Sequence, residues 1–174
     1  MLFGDSHAAQ WFEPLRLAAE QAGWRLLTRT KNSCPSAAVP IWYPAGKVVY
    51  LACDEWREGV FAEIESERPD LVILANYSHY YGWLQDADRC RILSASDAEV
   101  AWLAGLNTTT NRISAAGSEV VAIRDNPEIF ASYRDCLSTS DDCARPRSDA
   151  LRGMASWPAL GNFIRMDFTE EICE

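Results

Sequence analysis

The stretch LFGDSHAAQW, residues 2–11, decides how the rest of this sequence is interpreted. An apolar start runs into Gly-Asp-Ser-His and then into a segment of helical composition, so Ser6 falls where a strand meets a helix. A serine at such a junction is either a nucleophile displayed in a turn or the ordinary N-cap of a helix, because Ser and Asp side chains accept the first unpaired backbone N–H groups. These ten residues fit both interpretations.

The size and charge of the chain restrict the classes of protein to which it can belong. Its 174 residues fit one domain with a full core. A formal net charge of -9 and a pI near 4.7 disfavour nucleic acid and anionic membranes as partners, because both are bound through clustered Lys and Arg. The longest apolar runs, residues 48–53 and 71–75, are far shorter than the roughly 20 residues that cross a bilayer. No signal peptide is recognisable, and we expect the chain to begin inside a shortened first strand.

Cysteine is more frequent than in an ordinary cytosolic domain of this size. The six are Cys34, Cys53, Cys90, Cys136, Cys143 and Cys173. Neither these cysteines nor the two histidines follow a zinc spacing, so we expect no metal and no cofactor. Disulfides are favoured, and with them an oxidising compartment. Cys136 with Cys143 would close a short loop and Cys34 with Cys53 a longer one, each worth about 2 to 4 kcal/mol. Small buried thiols are the alternative.

Strand-like and helix-like segments alternate along the chain. We predict strands over residues 1–3, 24–30, 71–76, 119–123 and 163–166, and helices over 8–23, 53–68, 94–117 and, more weakly, 148–157. Pro14 should bend or restart the first helix, Gly23 should end it, and Ser96 or Asp97 should cap the third. This alternation predicts an α/β fold, a three-layer sandwich with a parallel, flavodoxin-like sheet of about five strands.

The predicted sheet brings polar residues to one edge. Parallel sheets bind ligands beyond the carboxyl ends of their strands, where loops from different strands converge. Ser6, Asn76 with its neighbours, and Asp125 each follow a predicted strand. We therefore expect these three loops to line one crevice.

A set of ordered blocks gives this chain a family resemblance. GDSHAAQW, residues 4–11, resembles the first block of SGNH hydrolases in its GDSH form. Further blocks are SCP (33–35), RPDLVILA (68–75), GSEVVAIRDNP (117–127), the close cysteine pair of residues 136–146, and MDFTEEIC (166–173). Together they resemble the SGNH domains fused to membrane acyltransferases of family three. The resemblance implies an extracytoplasmic domain of an enzyme that O-acetylates a bacterial surface polysaccharide, such as lipopolysaccharide O-antigen.

The resemblance implies roles for individual residues. Ser6 would be the nucleophile, in a turn that Gly4 permits and where backbone N–H groups face the developing oxyanion. Asp5 would tie the loop to backbone donors, and His7 would shape the site. Asn76 stands where the family places an oxyanion donor, although a loop-capping amide is the alternative. The glycine donor that the family places after the second strand has only Gly46 as a candidate here.

The sequence departs from the family at the catalytic base. The family carries its catalytic Asp and His in an Asp-x-x-His block beyond the fifth strand, and no such block occurs in residues 1–174. We therefore expect a single SGNH-like domain over 1–174, incomplete at both ends, in which Cys173 lacks a partner and turnover is slight. His7 adjoins Ser6, but neighbouring side chains at a helix start point in different directions. His79 is the other histidine, within an aromatic run (residues 77–83) that would line a sugar or acyl site or simply pack.

Three functions fit these observations. In the first, Ser6 takes an acetyl group delivered by a membrane acyltransferase domain and passes it to a carbohydrate hydroxyl, in a periplasmic or extracytoplasmic domain tethered to the inner membrane. The second is a non-catalytic domain of the same fold that binds carbohydrate or docks on a partner, with Ser6 as a helix cap. The third is a free-standing SGNH carbohydrate esterase.

Overall fold

The computed structural model describes residues 1–127, 136, 138, 143, 146–151 and 163–172. Its main sheet contains β1 (Leu2–Gly4), β2 (Thr28–Thr30), β5 (Leu71–Ala75), β6 (Glu119–Ile123) and β7 (Ile164–Met166). All neighbours pair in parallel, in the order β2-β1-β5-β6-β7. This is the flavodoxin-like order, so the predicted α/β class is confirmed. The chain changes its direction of progress across the sheet between β1 and β5, and that switch point is where such folds bind ligands.

Helices cover the sheet on both sides. They are α1 (Ser6–Gln10), α2 (Phe12–Ala22), α3 (Leu51–Glu67) and α4 (Ala95–Ala115), with a 3₁₀ turn at Tyr80–Trp83 and short segments at Arg147–Ala150 and Thr169–Ile172. Phe3 packs with α3 and α4, whereas its neighbour Leu2 packs with α1 on the other face. This period of two places one apolar layer on each face, which gives the predicted three-layer sandwich.

The first helical segment divides into two helices. The helix predicted over 8–23 is interrupted at Trp11, between α1 and α2. Pro14 lies in the first turn of α2, where its missing N–H costs no intrahelical bond. Gly23 ends α2 in the left-handed conformation, with φ 70°, as predicted.

The start of α4 differs from the prediction. Its N-cap is Ser94, whose hydroxyl accepts a hydrogen bond from the Asp97 backbone N–H at 3.2 Å. Ser94 has extended backbone angles (φ −62°, ψ 162°), whereas Ser96 and Asp97 are already helical. The cap was therefore predicted two or three residues too late, because three of the four residues from Ser94 to Asp97 are capping types.

The second strand is shorter than predicted, and a hairpin follows it. The strand predicted over 24–30 pairs only at Thr28–Thr30, because its partner β1 offers three residues. β3 (Trp42–Tyr43) and β4 (Val48–Val49) form a small antiparallel hairpin between the strand predicted over 24–30 and the helix predicted over 53–68, where no strand was predicted. Strands of two residues are too short to show alternation in a sequence.

Two disulfides are present, as predicted. Cys34 is bonded to Cys53 and Cys136 to Cys143, and Cys90 is an exposed thiol. Cys173 lies outside the described residues, as do residues 128–135 and residues 152–157 of the weakest predicted helix. Of the helices described, none is both long and apolar enough to span a membrane.

Candidate active site at the carboxyl edge of the sheet

The site begins where β1 ends against β5. A Cβ added to Gly4 would lie 1.9 Å from the Ala75 carbonyl oxygen. The two backbones therefore approach so closely that no side chain fits between them. The sequence suggested that Gly4 permits a tight turn. The structure shows a different reason, because the glycine is required for this close approach of two backbones.

Asp5 joins the first turn to the loop after β5. Its buried carboxylate accepts hydrogen bonds from the His7 backbone N–H, the Tyr77 backbone N–H and the Tyr80 hydroxyl, each at 2.8 Å. Burial raises the pKa of the Asp5 carboxyl above its ordinary value, although these hydrogen bonds oppose the shift. Burial, together with Asp5, also raises the pKa of the Tyr80 hydroxyl. Asp5 is thus both the N-cap of α1 and the anchor of the neighbouring loop.

Ser6 is the first residue of α1 and is exposed at the carboxyl edge of the sheet. Gly4 and Ala75 are register partners on adjacent strands, so Ser6 and Asn76 follow neighbouring strand ends at the switch point. The N-cap of α1 is Asp5, so Ser6 does not have the capping role that the sequence allowed for it.

His7 reaches across to the end of β6. Its Nδ1 lies 2.6 Å from Asp125 Oδ1, and the backbone N–H groups of Ser78 and Asn126 donate to the same carboxylate at 2.7 and 2.9 Å. A carboxylate accepts hydrogen bonds and a protonated ring nitrogen donates them, so this pair requires the tautomer of His7 with the proton on Nδ1 wherever Asp125 acts as the acceptor. The buried Asp125 side chain therefore fixes the orientation of the imidazole and links the ends of β1, β5 and β6. The sequence placed Asp125 at this edge but did not pair it with His7.

Asn76 is paired with a residue that the sequence did not single out. Its Oδ1 accepts from the Ser36 backbone N–H at 2.7 Å, and its Nδ2 lies 2.9 Å from Ser36 Oγ. Ser36 is fully buried in the loop after β2. Gly46 instead lies in the β3–β4 hairpin, where an added Cβ would be 2.9 Å from the Tyr43 ring. Ser36 belongs to no recognisable motif, so its pairing with Asn76 could not be predicted from the sequence.

The aromatic run after β5 is largely packing. Tyr80 is buried and stacks on Trp102, with ring centroids 5.6 Å apart. The half-buried Tyr77 ring contacts the rings of His7 at 4.7 Å and His79 at 5.1 Å. The imidazole of His7 is therefore supported both by Asp125 and by this ring.

Asp167 directly follows β7, at the same edge of the sheet. It forms an ion pair with Arg124 at 2.8 Å and accepts from the Thr169 backbone N–H at 2.9 Å. Burial opposes ionisation, yet the hydrogen bonds from Thr169 and Arg124 lower the pKa of Asp167 to about 2. Asp167 therefore joins β7 to β6. In the part of the chain that the structure describes, no cluster of three or more His, Cys, Asp or Glu is arranged to hold a metal.

The sheet order and the position of the serine-bearing turn define an α/β domain of the SGNH hydrolase type. A family model described as the SGNH domain (fused to AT3 domains) matches residues 1–173, and the chain therefore belongs to that family. A solved structure of the Salmonella ser. Paratyphi A lipopolysaccharide acetyltransferase periplasmic domain is similar, with a TM-score of 0.58 at 15% identity. The match covers 98% of this chain but 66% of that one, and at this identity it shows the fold. No curated protein matches the chain significantly.

Proposed function

We propose that this chain is the acyl-transferring domain of a polysaccharide O-acetyltransferase, in which Ser6 accepts an acetyl group and passes it to a carbohydrate hydroxyl. The observation that carries the proposal is the setting of Ser6: an exposed hydroxyl on a turn that the buried Asp5 anchors, beside Asn76 at the switch point of the sheet. The family match and the lipopolysaccharide acetyltransferase fold of the neighbour support the same reaction.

The chemistry is two successive acyl transfers. The Ser6 oxygen forms a bond to the acetyl carbonyl carbon, while a base takes the hydroxyl proton and passes it to the departing donor group. A sugar hydroxyl then attacks the Ser6 ester, its proton returns to the serine oxygen, and the acetylated sugar leaves. In both steps the carbonyl oxygen becomes negative, and Asn76 Nδ2 is the proposed hydrogen-bond donor to it. No cofactor takes part in the proposal.

The base is the part of this reaction that residues 1–174 do not supply in the family's pattern. No Asp-x-x-His block occurs in them, and His7 is held by Asp125 as a residue that shapes the site. We therefore expect residues 1–174 to bind and orient the acyl group with little turnover of their own, because donors and binding alone give only residual catalysis.

The setting that fits this reaction is extracytoplasmic. The family's SGNH domains are fused to AT3 domains, so a membrane acyltransferase domain is the proposed source of the acetyl group. Two disulfides fit an oxidising compartment such as the periplasm. A carbohydrate is the proposed acceptor.

The experiment is covalent labelling of the full-length protein with a fluorophosphonate, followed by mass spectrometry of the labelled peptide. Label on Ser6, its loss in Ser6→Ala and loss of polysaccharide O-acetylation in the same variant are the expected results. Ser96→Ala, which changes another exposed serine, is the matched control. Unlabelled Ser6 with unchanged O-acetylation in Ser6→Ala would contradict the proposal and favour a non-catalytic domain. Acetate release without acetylated sugar would instead identify an esterase.

A further inference from the structure

The side-chain amide of Asn76 has one defined orientation. A backbone N–H can only donate, so the Asn76 atom that lies 2.7 Å from Ser36 N must be the amide oxygen. The nitrogen is then fixed on the other branch, and one of its two hydrogens is directed at Ser36 Oγ, 2.9 Å away, while the Ser36 hydroxyl lies 3.0 Å from the amide oxygen and donates to it. The second hydrogen remains for an oxygen of a bound acyl group.

Ser36 is itself held in place by α4. The Thr109 hydroxyl donates to the Ser36 carbonyl oxygen at 2.7 Å and accepts from the Ala38 backbone N–H at 3.1 Å. Thr109 and Ser36 are both completely buried, so neither exchanges these partners for water. Gly105 lets the loop approach the helix, since a Cβ there would lie 2.4 Å from Val39 Cγ1.

A second set of contacts holds the same loop from α3. Cys34, two residues before Ser36, forms a disulfide with Cys53 of α3. The buried Arg57 donates from Nε to the Pro35 carbonyl oxygen at 3.1 Å and from Nη2 to the Val39 carbonyl oxygen at 3.3 Å. The position of Ser36 is therefore fixed by two helices, independently of the strand that precedes Asn76.

We propose that Ser36, supported by Thr109, is a positioning residue for acyl transfer at Ser6: it orients the Asn76 amide so that its nitrogen donates to the oxyanion. The inference rests on the proposed function. A donor that is already aimed at the developing charge needs no reorganisation during the reaction, whereas a rotated amide would present its oxygen to the oxyanion and repel it. Ser36 acts through Asn76 and does not touch the acyl group.

The test is the second-order rate constant for fluorophosphonate labelling of Ser6 in the full-length protein, because phosphonylation also places negative charge on an oxygen. Asn76→Ala should slow labelling by about 100-fold or more, the usual effect of losing an oxyanion donor. Asn76→Asp should be as slow, although its carboxylate still accepts hydrogen bonds from the Ser36 backbone N–H and the Ser36 hydroxyl and so preserves the fold. Ser36→Ala keeps the backbone N–H but removes the hydroxyl that holds the Asn76 nitrogen. It should therefore slow labelling by about tenfold, less than Asn76→Ala, through the rate and not through affinity for the probe.

Coupling separates positioning from a general structural role. In the Asn76→Ala background, Ser36→Ala should cause no further loss of rate, because the residue through which it acts is gone. Thr109→Val, which removes the supporting hydroxyl, should slow labelling several-fold, whereas Thr109→Ser should restore it. Thr108→Val makes the same change one residue away on the exposed side of α4 and should leave the rate unchanged.

Two outcomes would overturn the inference alone: labelling of Ser36→Ala at the wild-type rate, or losses in Ser36→Ala and Asn76→Ala that multiply in the double variant. A wild-type protein that is not labelled at Ser6 at all would overturn the proposed function, and this inference with it. Thermal unfolding of each variant in parallel identifies any rate loss that comes from unfolding.

Discussion

Replacing Asp5 by alanine should destabilise the fold more than any surface substitution. The change removes the N-cap of α1, worth about 1 kcal/mol, and leaves the buried Tyr80 hydroxyl without its acceptor, at about 1 to 3 kcal/mol. The Tyr77 backbone N–H also loses its partner. Part of this is offset because a buried carboxylate no longer has to be desolvated. We expect a net loss of about 2 to 4 kcal/mol, or roughly 5 to 15 °C in Tm for a chain of this length.

The assay is thermal and urea unfolding under non-reducing conditions, monitored by circular dichroism. Tyr80→Phe removes only one of the three hydrogen bonds and should cost about 1 kcal/mol. Asp88→Ala, at an exposed carboxylate, should stay within about 0.5 kcal/mol of wild type. If Asp5→Ala falls within that same margin, the account of Asp5 as the anchor of two loops is refuted.

The raised pKa of Asp5 adds a pH dependence with a definite sign. Because the folded-state pKa lies above the unfolded value, the folded protein binds the proton more tightly between the two values. The advantage of wild type over Asp5→Ala should therefore be largest at low pH and shrink as the pH rises above about 4, the ordinary Asp pKa. An advantage that grows with pH would mean that the hydrogen bonds to the carboxylate outweigh its burial.

Further predictions concern the sheet and the cross-links. Because the pKa of Asp167 is lowered to about 2, its ionised carboxylate should stabilise the fold above about pH 4, and this contribution should be lost as the pH falls towards 2. Arg124→Ala should remove about 0.5 to 1 kcal/mol of this stabilisation at pH 7. Equal acid sensitivity of the variant and the wild type would contradict this prediction. Replacing Cys34 and Cys53 together by serine should cost about 2 to 4 kcal/mol in urea unfolding, and an unchanged midpoint would show that the bond adds nothing. Gly4→Ala should prevent soluble expression or lower Tm by roughly 10 °C or more, because the added Cβ would clash with the Ala75 carbonyl oxygen. A wild-type melting curve would disprove the close approach.

The sequence was most informative where one segment alone determines the structure. The run EVVAI predicted β6 with its observed bounds, and the strand predicted over 71–76 is β5, one residue shorter. Strands buried on both faces are continuously apolar, so such runs are recognisable in the sequence. The αL ending at Gly23 was also predictable, since it depends on one residue type. The convergence of Ser6, the residues around Asn76 and Asp125 at one edge followed from strand-helix alternation.

The partners of the site residues could not be predicted in the same way. Ser36 meets Asn76, and His7 meets Asp125, across strands that are distant in sequence. Such pairs depend on which strands are neighbours and on how far each loop extends, and the local sequence determines neither of these. Gly4 shows the same limit: its need for space comes from Ala75, 71 positions later in the numbering.

The cross-link between Cys34 and Cys53 has a practical consequence for anyone who produces this domain. The ladders of the main sheet do not involve it, so protein made in a reducing cytosol can give a native far-UV spectrum. In that material the loop that carries Ser36 is attached to α3 through Arg57 but lacks its covalent bond to that helix. Preparations intended for acylation assays should therefore be judged by thiol titration, because a secondary-structure signal does not report whether the loop that carries Ser36 is cross-linked.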